Sequence, residues 1–481
     1  MSATRALGWF GICRLGLVQA ALGSVVVLMT STLNRVMVVE YSLPAMLPGV
    51  LVSVHYAIQV IRPRFGHGSD VGGRRTPWIV GGLLLLFAGS ALCTIAAVSL
   101  AANPWLGWPL AILGYALVGL GVGAAGTTLL VLLAAEVDPR RRAAAATIMW
   151  VLMIVGFVIT SGVVGHFLDP FSPQRLLLVT TTAAASACLV ALVAIWRIEP
   201  RGEARAQGGR AMRAELTARG EDTVRGEGTV RGEGTVRGEG ALSGEAALRS
   251  GGVPARFAFA EALRQVWQEP RARSFTLFVF VSMLAYSAQE LILEPFAGLV
   301  FGYTVGASAQ LSALQHGGAL LGMVAVGLAC SGPLRFGSLR GWTLGGCVAS
   351  ALALLALTGA DLIGPAWPLR ANVFVLGAAN GAFAVGAIGS MMELGAQGRS
   401  GRTGVRMGLW GAAQAVAFAC GGLFGTSVVD LVRYLFGSPS LAFAAVFGAE
   451  AALFLLAAVY AAQTDSKPNR GASANSTAVP I

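Results

Sequence analysis

Residues 285–302 read AYSAQELILEPFAGLVFG, placing Gln289, Glu290 and Glu294 inside an otherwise apolar run. Carboxylates at membrane depth are costly and mark either a buried pair or a pathway. Glu290 and Glu294 stand four residues apart, so on a helix they share a face and repel each other when both are ionised. An opposing cation, or a proton on one acid, relieves that repulsion. Arg35, beside Asn34 in the first apolar run, lies at an overlapping depth and is the expected cation. If the first and seventh apolar runs face each other, an ion pair from Arg35 to Glu290 or Glu294 is expected, with Asn34 and Gln289 completing the hydrogen bonding. Such a site either gates one side of the protein or is a fixed structural pair.

The elements that must carry these residues follow from composition. Of 481 residues, 55% are hydrophobic and only 12% charged, about half the charge of an average soluble domain. The apolar residues fall in runs of about 20, the length of a membrane-spanning helix. A bilayer leaves no unpaired backbone, so an all-α polytopic membrane protein follows. Twelve spans are expected, at roughly 13–36, 45–62, 78–100, 108–136, 143–167, 174–197, 274–300, 306–330, 341–359, 368–394, 406–430 and 440–463. Arginines gather in the loops on one side. The formal charge of +11 therefore reads as topology, with both termini cytoplasmic, and not as a nucleic-acid surface.

The division is a six-helix lobe over 1–199, a linker over 200–256, a short amphipathic surface helix over 257–270, a second six-helix lobe over 271–464 and a tail over 465–481. The linker carries TVRGEG three times, with little to bury, and is expected to be disordered, as is the tail. In the surface helix Phe259, Leu263, Val266 and Trp267 share one face. The six cysteines lie in or beside apolar runs without a CxxC spacing and read as packing residues. Glycine-rich faces at 119–126, 377–389 and 421–425 either pack helices closely or admit a flat molecule.

The loop after the second run, RPRFGHGSDVGGRRTPW, fits G-x-x-x-D-x-x-G-R-R at Gly66, Asp70, Gly73, Arg74 and Arg75. It resembles the signature loop of the major facilitator superfamily. EVDPRRR, with Glu136 and Arg142, resembles that superfamily's loop after the fourth helix. The resemblance implies two pseudo-symmetric six-helix lobes, with the first and seventh helices facing each other. It also implies a cytoplasmic latch in which Asp70 meets the start of the eleventh helix.

Three stretches are more specific: TLNRVMVVEYSLPAMLPG (32–49), GHGSDVGGRRTPWIVGG (66–82) and QELILEPFAG (289–298). Together they resemble the PucC/LhaA, or bacteriochlorophyll delivery, family over the whole chain apart from linker and tail. The RTPWIVGG form is most similar to the branch labelled a bacteriochlorophyll synthase accessory chain. The resemblance implies a photosynthetic membrane, bacteriochlorophyll as a bound pigment, and light-harvesting polypeptides or the reaction-centre complex, with membrane lipids, as partners. A chlorin magnesium takes an axial ligand such as neutral imidazole. His55, sharing a face with Gln59, and His316 lie inside spans and are the ligand candidates; each is otherwise a packing histidine. His67 falls in the signature loop and His166 ends the fifth span. Three functions are weighed: a non-enzymatic pigment-handling assembly factor, a proton-coupled transporter of a small solute or porphyrin intermediate, and a prenylating synthase. The last needs paired aspartates to hold magnesium diphosphate. The seven aspartates here form no D-x-x-x-D, so neither a catalytic residue nor a metal site is expected.

Overall fold

The computed structural model describes residues 7–62, 65, 75–138, 141–199, 264, 267–331, 337–396 and 403–463. Twelve long helices carry these residues. They are α1 (Trp9–Glu40), α2 (Met46–Ile61), α3 (Thr76–Ala102), α4 (Pro104–Glu136), α5 (Arg142–Phe167) and α6 (Pro173–Ile195). The second set is α7 (Pro270–Phe301), α8 (Val305–Ser331), α9 (Leu339–Thr358), α10 (Leu369–Ala396), α11 (Thr403–Phe436) and α12 (Pro439–Gln463). Eleven are long and apolar enough to cross a membrane, and α2 is shorter. The chain is a multi-pass membrane protein. The linker 200–256 and the tail 465–481 lie outside the described residues, as does most of the surface helix 257–270.

Local chemistry sets the helix ends. Proline opens α4, α6, α7 and α12, where its missing N–H costs no hydrogen bond. Ser172 and Ser338 cap α6 and α9, their hydroxyls accepting from the Arg175 and Gly341 amides at 3.1 and 3.0 Å. Helix α7 runs on through Pro295 to Phe301 and ends at Gly302, whose φ of +67° suits glycine. The first helix departs from the expected form. It is α-helical to Val27, then widens into π-helical turns at Leu28–Leu33 and Val36–Glu40.

Helices α1–α6 and α7–α12 form two lobes. They meet where α2 lies on α11, α5 on α8 and the π-helical part of α1 on α7. The glycine-rich faces serve close packing. A Cβ on Gly121 would lie 2.7 Å from the Gly82 carbonyl oxygen, and one on Gly377 2.0 Å from that of Gln315. In the second lobe the core is aromatic, with Phe296 edge-on to Phe443 and Phe447, Phe383 to Phe454, and Phe275 to Trp410.

Candidate functional site

The polar residues of α1 and α7 face each other across the seam between the lobes. Thr30 Oγ1 donates to Glu290 Oε1 at 3.2 Å. The Ser31 hydroxyl donates to Glu294 and lies 3.3 Å from the Ser312 hydroxyl of α8. The Asn34 amide donates to the Leu291 carbonyl. The acids point at helix α1 and not at lipid. Their partners are hydroxyls, which can donate to a carboxylate or accept from a carboxylic acid. The same contacts therefore accommodate either protonation state.

Arg35 crosses the seam but does not pair with those acids. Its salt bridge is to Glu40, five residues on in its own helix. Its second terminal nitrogen, Nη2, donates to the Tyr303 carbonyl at 2.6 Å, and Nε lies 3.4 Å from the Ser308 hydroxyl. The expected bridge from Arg35 to Glu290 or Glu294 is thus replaced by a local ion pair. The π-helical turn explains the change. Residues i and i+5 point about 140° apart on an α-helix, but the wider winding brings them to one side. Gln289 also departs from expectation. It turns into its own lobe, where Asn380 Nδ2 donates to its oxygen at 3.2 Å and Ser350 donates to Asn380 at 2.9 Å. Gly298, the glycine of QELILEPFAG, makes room for the arginine. A Cβ there would lie 3.0 Å from Val39 and 3.2 Å from Arg35 Nη2.

Two contacts that the sequence reading missed close the seam at the face where α1 ends and α2 begins. At the end of α5, Asp169 accepts from the Gly306 amide at 3.0 Å and the Thr304 hydroxyl at 2.6 Å, capping α8 of the other lobe. Near the end of α11, Asp430 accepts from the Ala45 and Met46 amides at 3.0 and 2.6 Å, capping α2. Each lobe supplies a carboxylate to a helix N-terminus of its partner, where the backbone N–H groups and helix dipole favour an anion. The only sequence signal was one acid at the end of an apolar run, on pseudo-equivalent helices. Glycine makes the approach possible: a Cβ on Gly306 would lie 2.3 Å from the Gly165 carbonyl oxygen.

Of the expected cytoplasmic latch, Gly66, Asp70, Gly73 and Arg74 lie outside the described residues. Arg75 is buried just ahead of α3. The Glu136 carbonyl ends α4 and accepts from the Leu7 amide at 2.8 Å, and Arg142 opens α5. The two candidate ligand histidines are inside the protein, His55 1% and His316 3% exposed. His55 Nε2 lies 2.8 Å from the Gln59 amide nitrogen, and the Gln59 oxygen accepts from Arg62. His316 Nδ1 lies 2.8 Å from the Ser312 carbonyl oxygen, and its ring meets Phe157 edge-on. Lipid does not reach either ring.

A groove of about 880 Å³ opens on the first lobe. Helices α5 and α6 touch little, while α1 packs on both and floors the gap with Leu17, Ala20, Ala21 and Ser24. Among the described residues no cluster of three metal-ligating side chains occurs.

Solved structures with this fold include a D-xylose–proton symporter, with a TM-score of 0.62 and 16% identity over 95% of this chain and 98% of that one. A peptide-transporter-family (POT) protein in complex with 5-aminolevulinic acid gives 0.61 at 14% identity, with the same coverage. Identities this low establish the major facilitator fold alone. Among curated relatives, the "Bacteriochlorophyll synthase 44.5 kDa chain" of Rhodobacter capsulatus is 47% identical over 95% of both chains. "Protein PucC" of Cereibacter sphaeroides is 28% identical over 92% of this chain and 90% of its own. The family model described as "PUCC protein" matches residues 32–236 and 249–466, and the chain belongs to the PucC family.

Proposed function

We propose that the chain is a non-enzymatic assembly factor of the photosynthetic membrane that binds bacteriochlorophyll and delivers it to light-harvesting polypeptides. The observation that carries this reading is the 47% identity, over 95% of both chains, to a relative named for bacteriochlorophyll synthesis. The fold supports a handling role. Two helical lobes enclose a seam crossed by hydrogen bonds from Thr30, Ser31 and Asn34 of α1, and the described aspartates at the seam cap helices. The word synthase in the relative's name belongs to that protein; the widely spaced aspartates here offer no pair to hold a diphosphate. The membrane is the bacterial inner, intracytoplasmic one, with both termini on the cytoplasmic side where arginine is abundant.

Deleting the chain from its host tests the reading. Whole-cell absorption should lose antenna bands while the extracted pigment is finished, prenylated bacteriochlorophyll. Accumulation of the unprenylated chlorin would place the chain in synthesis instead. A second reading is a proton-coupled transporter, favoured by Glu290 and Glu294 meeting hydroxyls at the seam. It requires solute or porphyrin uptake that follows a proton gradient in vesicles and is lost in Glu294→Gln.

A further inference from the structure

We infer that the lipid-facing groove between α5 and α6 is the pigment site, and that His166 supplies the axial ligand to the magnesium. The inference rests on the pigment-handling reading above and names its site.

The groove is built by spacing. Residues 152, 155, 156, 159, 160 and 163 form one face of α5, and 179, 182, 183, 186, 187 and 190 one face of α6. Small side chains, among them Ala20, Gly156, Ala183 and Ala187, keep the floor and walls low. Large ones form the rim, with Ile159, Leu178 and Val190 between 48% and 69% exposed. From Leu152 to Phe167 the groove follows four turns of α5, about 22 Å at 1.5 Å per residue. Its volume lies in the range of small-molecule sites, about 300–1,000 Å³.

An apolar groove facing lipid would by itself hold acyl chains. What sets this one apart is its far end, which is lined by His166, Asp169 and Arg175. His166 is exposed and stands in the last turn of α5, with the Phe167 ring edge-on at 5.0 Å. An exposed imidazole at the end of a long, low-walled apolar slot suits one kind of amphiphile. That molecule has a flat head carrying a Lewis-acidic metal and a long hydrocarbon tail. A magnesium chlorin with its prenyl tail has this chemistry. The buried His55 and His316 cannot meet such a molecule from the bilayer. A phospholipid is the competing occupant, with its phosphate at Arg175.

The test is titration of the purified full chain, in lipid nanodiscs, with bacteriochlorophyll a. Binding is read by fluorescence quenching and magnesium coordination by resonance Raman. The wild type is expected to bind one pigment with a five-coordinate, imidazole-ligated magnesium. His166→Leu should lose that signature. Ala187→Trp, which fills the slot, should weaken binding at least tenfold. His55→Gln and His316→Gln should leave the coordination signature in place. Pigment bound equally well and with unchanged coordination in His166→Leu and Ala187→Trp would overturn the site while leaving the pigment-handling reading standing. A wild type that takes no pigment, and instead retains phospholipid in native mass spectra, would overturn both.

Discussion

The two lobes solve the same packing problem in opposite ways. In the second lobe, α7, α11 and α12 close on one another. Phe296 of α7 meets Phe443 and Phe447 of α12 with ring centroids 5.5 and 5.0 Å apart. In the first lobe the equivalent trio is α1, α5 and α6, and there α5 and α6 stand apart over a floor of Leu17, Ala20, Ala21 and Ser24. Aromatic rings fill interhelical space, whereas alanine and glycine leave it for another molecule. In lipid, helices gain little from apolar burial and associate through packing and hydrogen bonds. The filled lobe is therefore a solid body, and the open lobe is the one with a groove between its helices.

The largest effect expected from this difference is on stability. Phe447→Ala should cost about 3–5 kcal/mol, because the cavity it leaves in a tight aromatic cluster has nothing to fill it. Ala187→Trp should change stability by less than about 1 kcal/mol, since its ring enters a slot that already faces lipid. Thermal unfolding in detergent separates the two, and equal losses would remove the contrast between the lobes. Next in size is Arg35→Leu. It deletes the bonds to Tyr303 and Ser308 and leaves Glu40 without its cation, an expected loss of about 2–3 kcal/mol by the same measurement. Asp169→Ala with Asp430→Ala should cost about 1 kcal/mol per cap. It should also lengthen the distance between spin labels at Trp105 and Leu362, exposed sites in the first and second lobe, read by double electron–electron resonance. An unchanged distance would show that the seam holds without the caps. Smallest is Glu290→Gln, expected to change stability by less than about 0.5 kcal/mol because Thr30 donates equally to an amide oxygen.

The spans were legible because hydrocarbon thickness imposes a length that any apolar run must meet. Most expected edges fall within a few residues of the observed ones, while α1 and α11 run on to Glu40 and Phe436. Depth and spacing set Arg35, Glu290 and Glu294 at one level, while the facing of α1 and α7 followed from the resemblance to the major facilitator superfamily. The partner of Arg35 was not legible, because Glu40 joins it only where the helix winds wide. The caps at Asp169 and Asp430 were not legible either. Each acts on a backbone more than a hundred residues distant, which no local pattern encodes. Nor could the groove be read, since it depends on two helices failing to meet.

Asp169 belongs to two things at once. It lines the far end of the groove, and its oxygens hold Thr304 and Gly306 of the opposite lobe. Whatever settles at that end of the slot touches the clasp that keeps the halves together. Occupancy and separation then draw on one shared free energy, so a molecule there that loosens the clasp is held more firmly once the halves part, by the same factor.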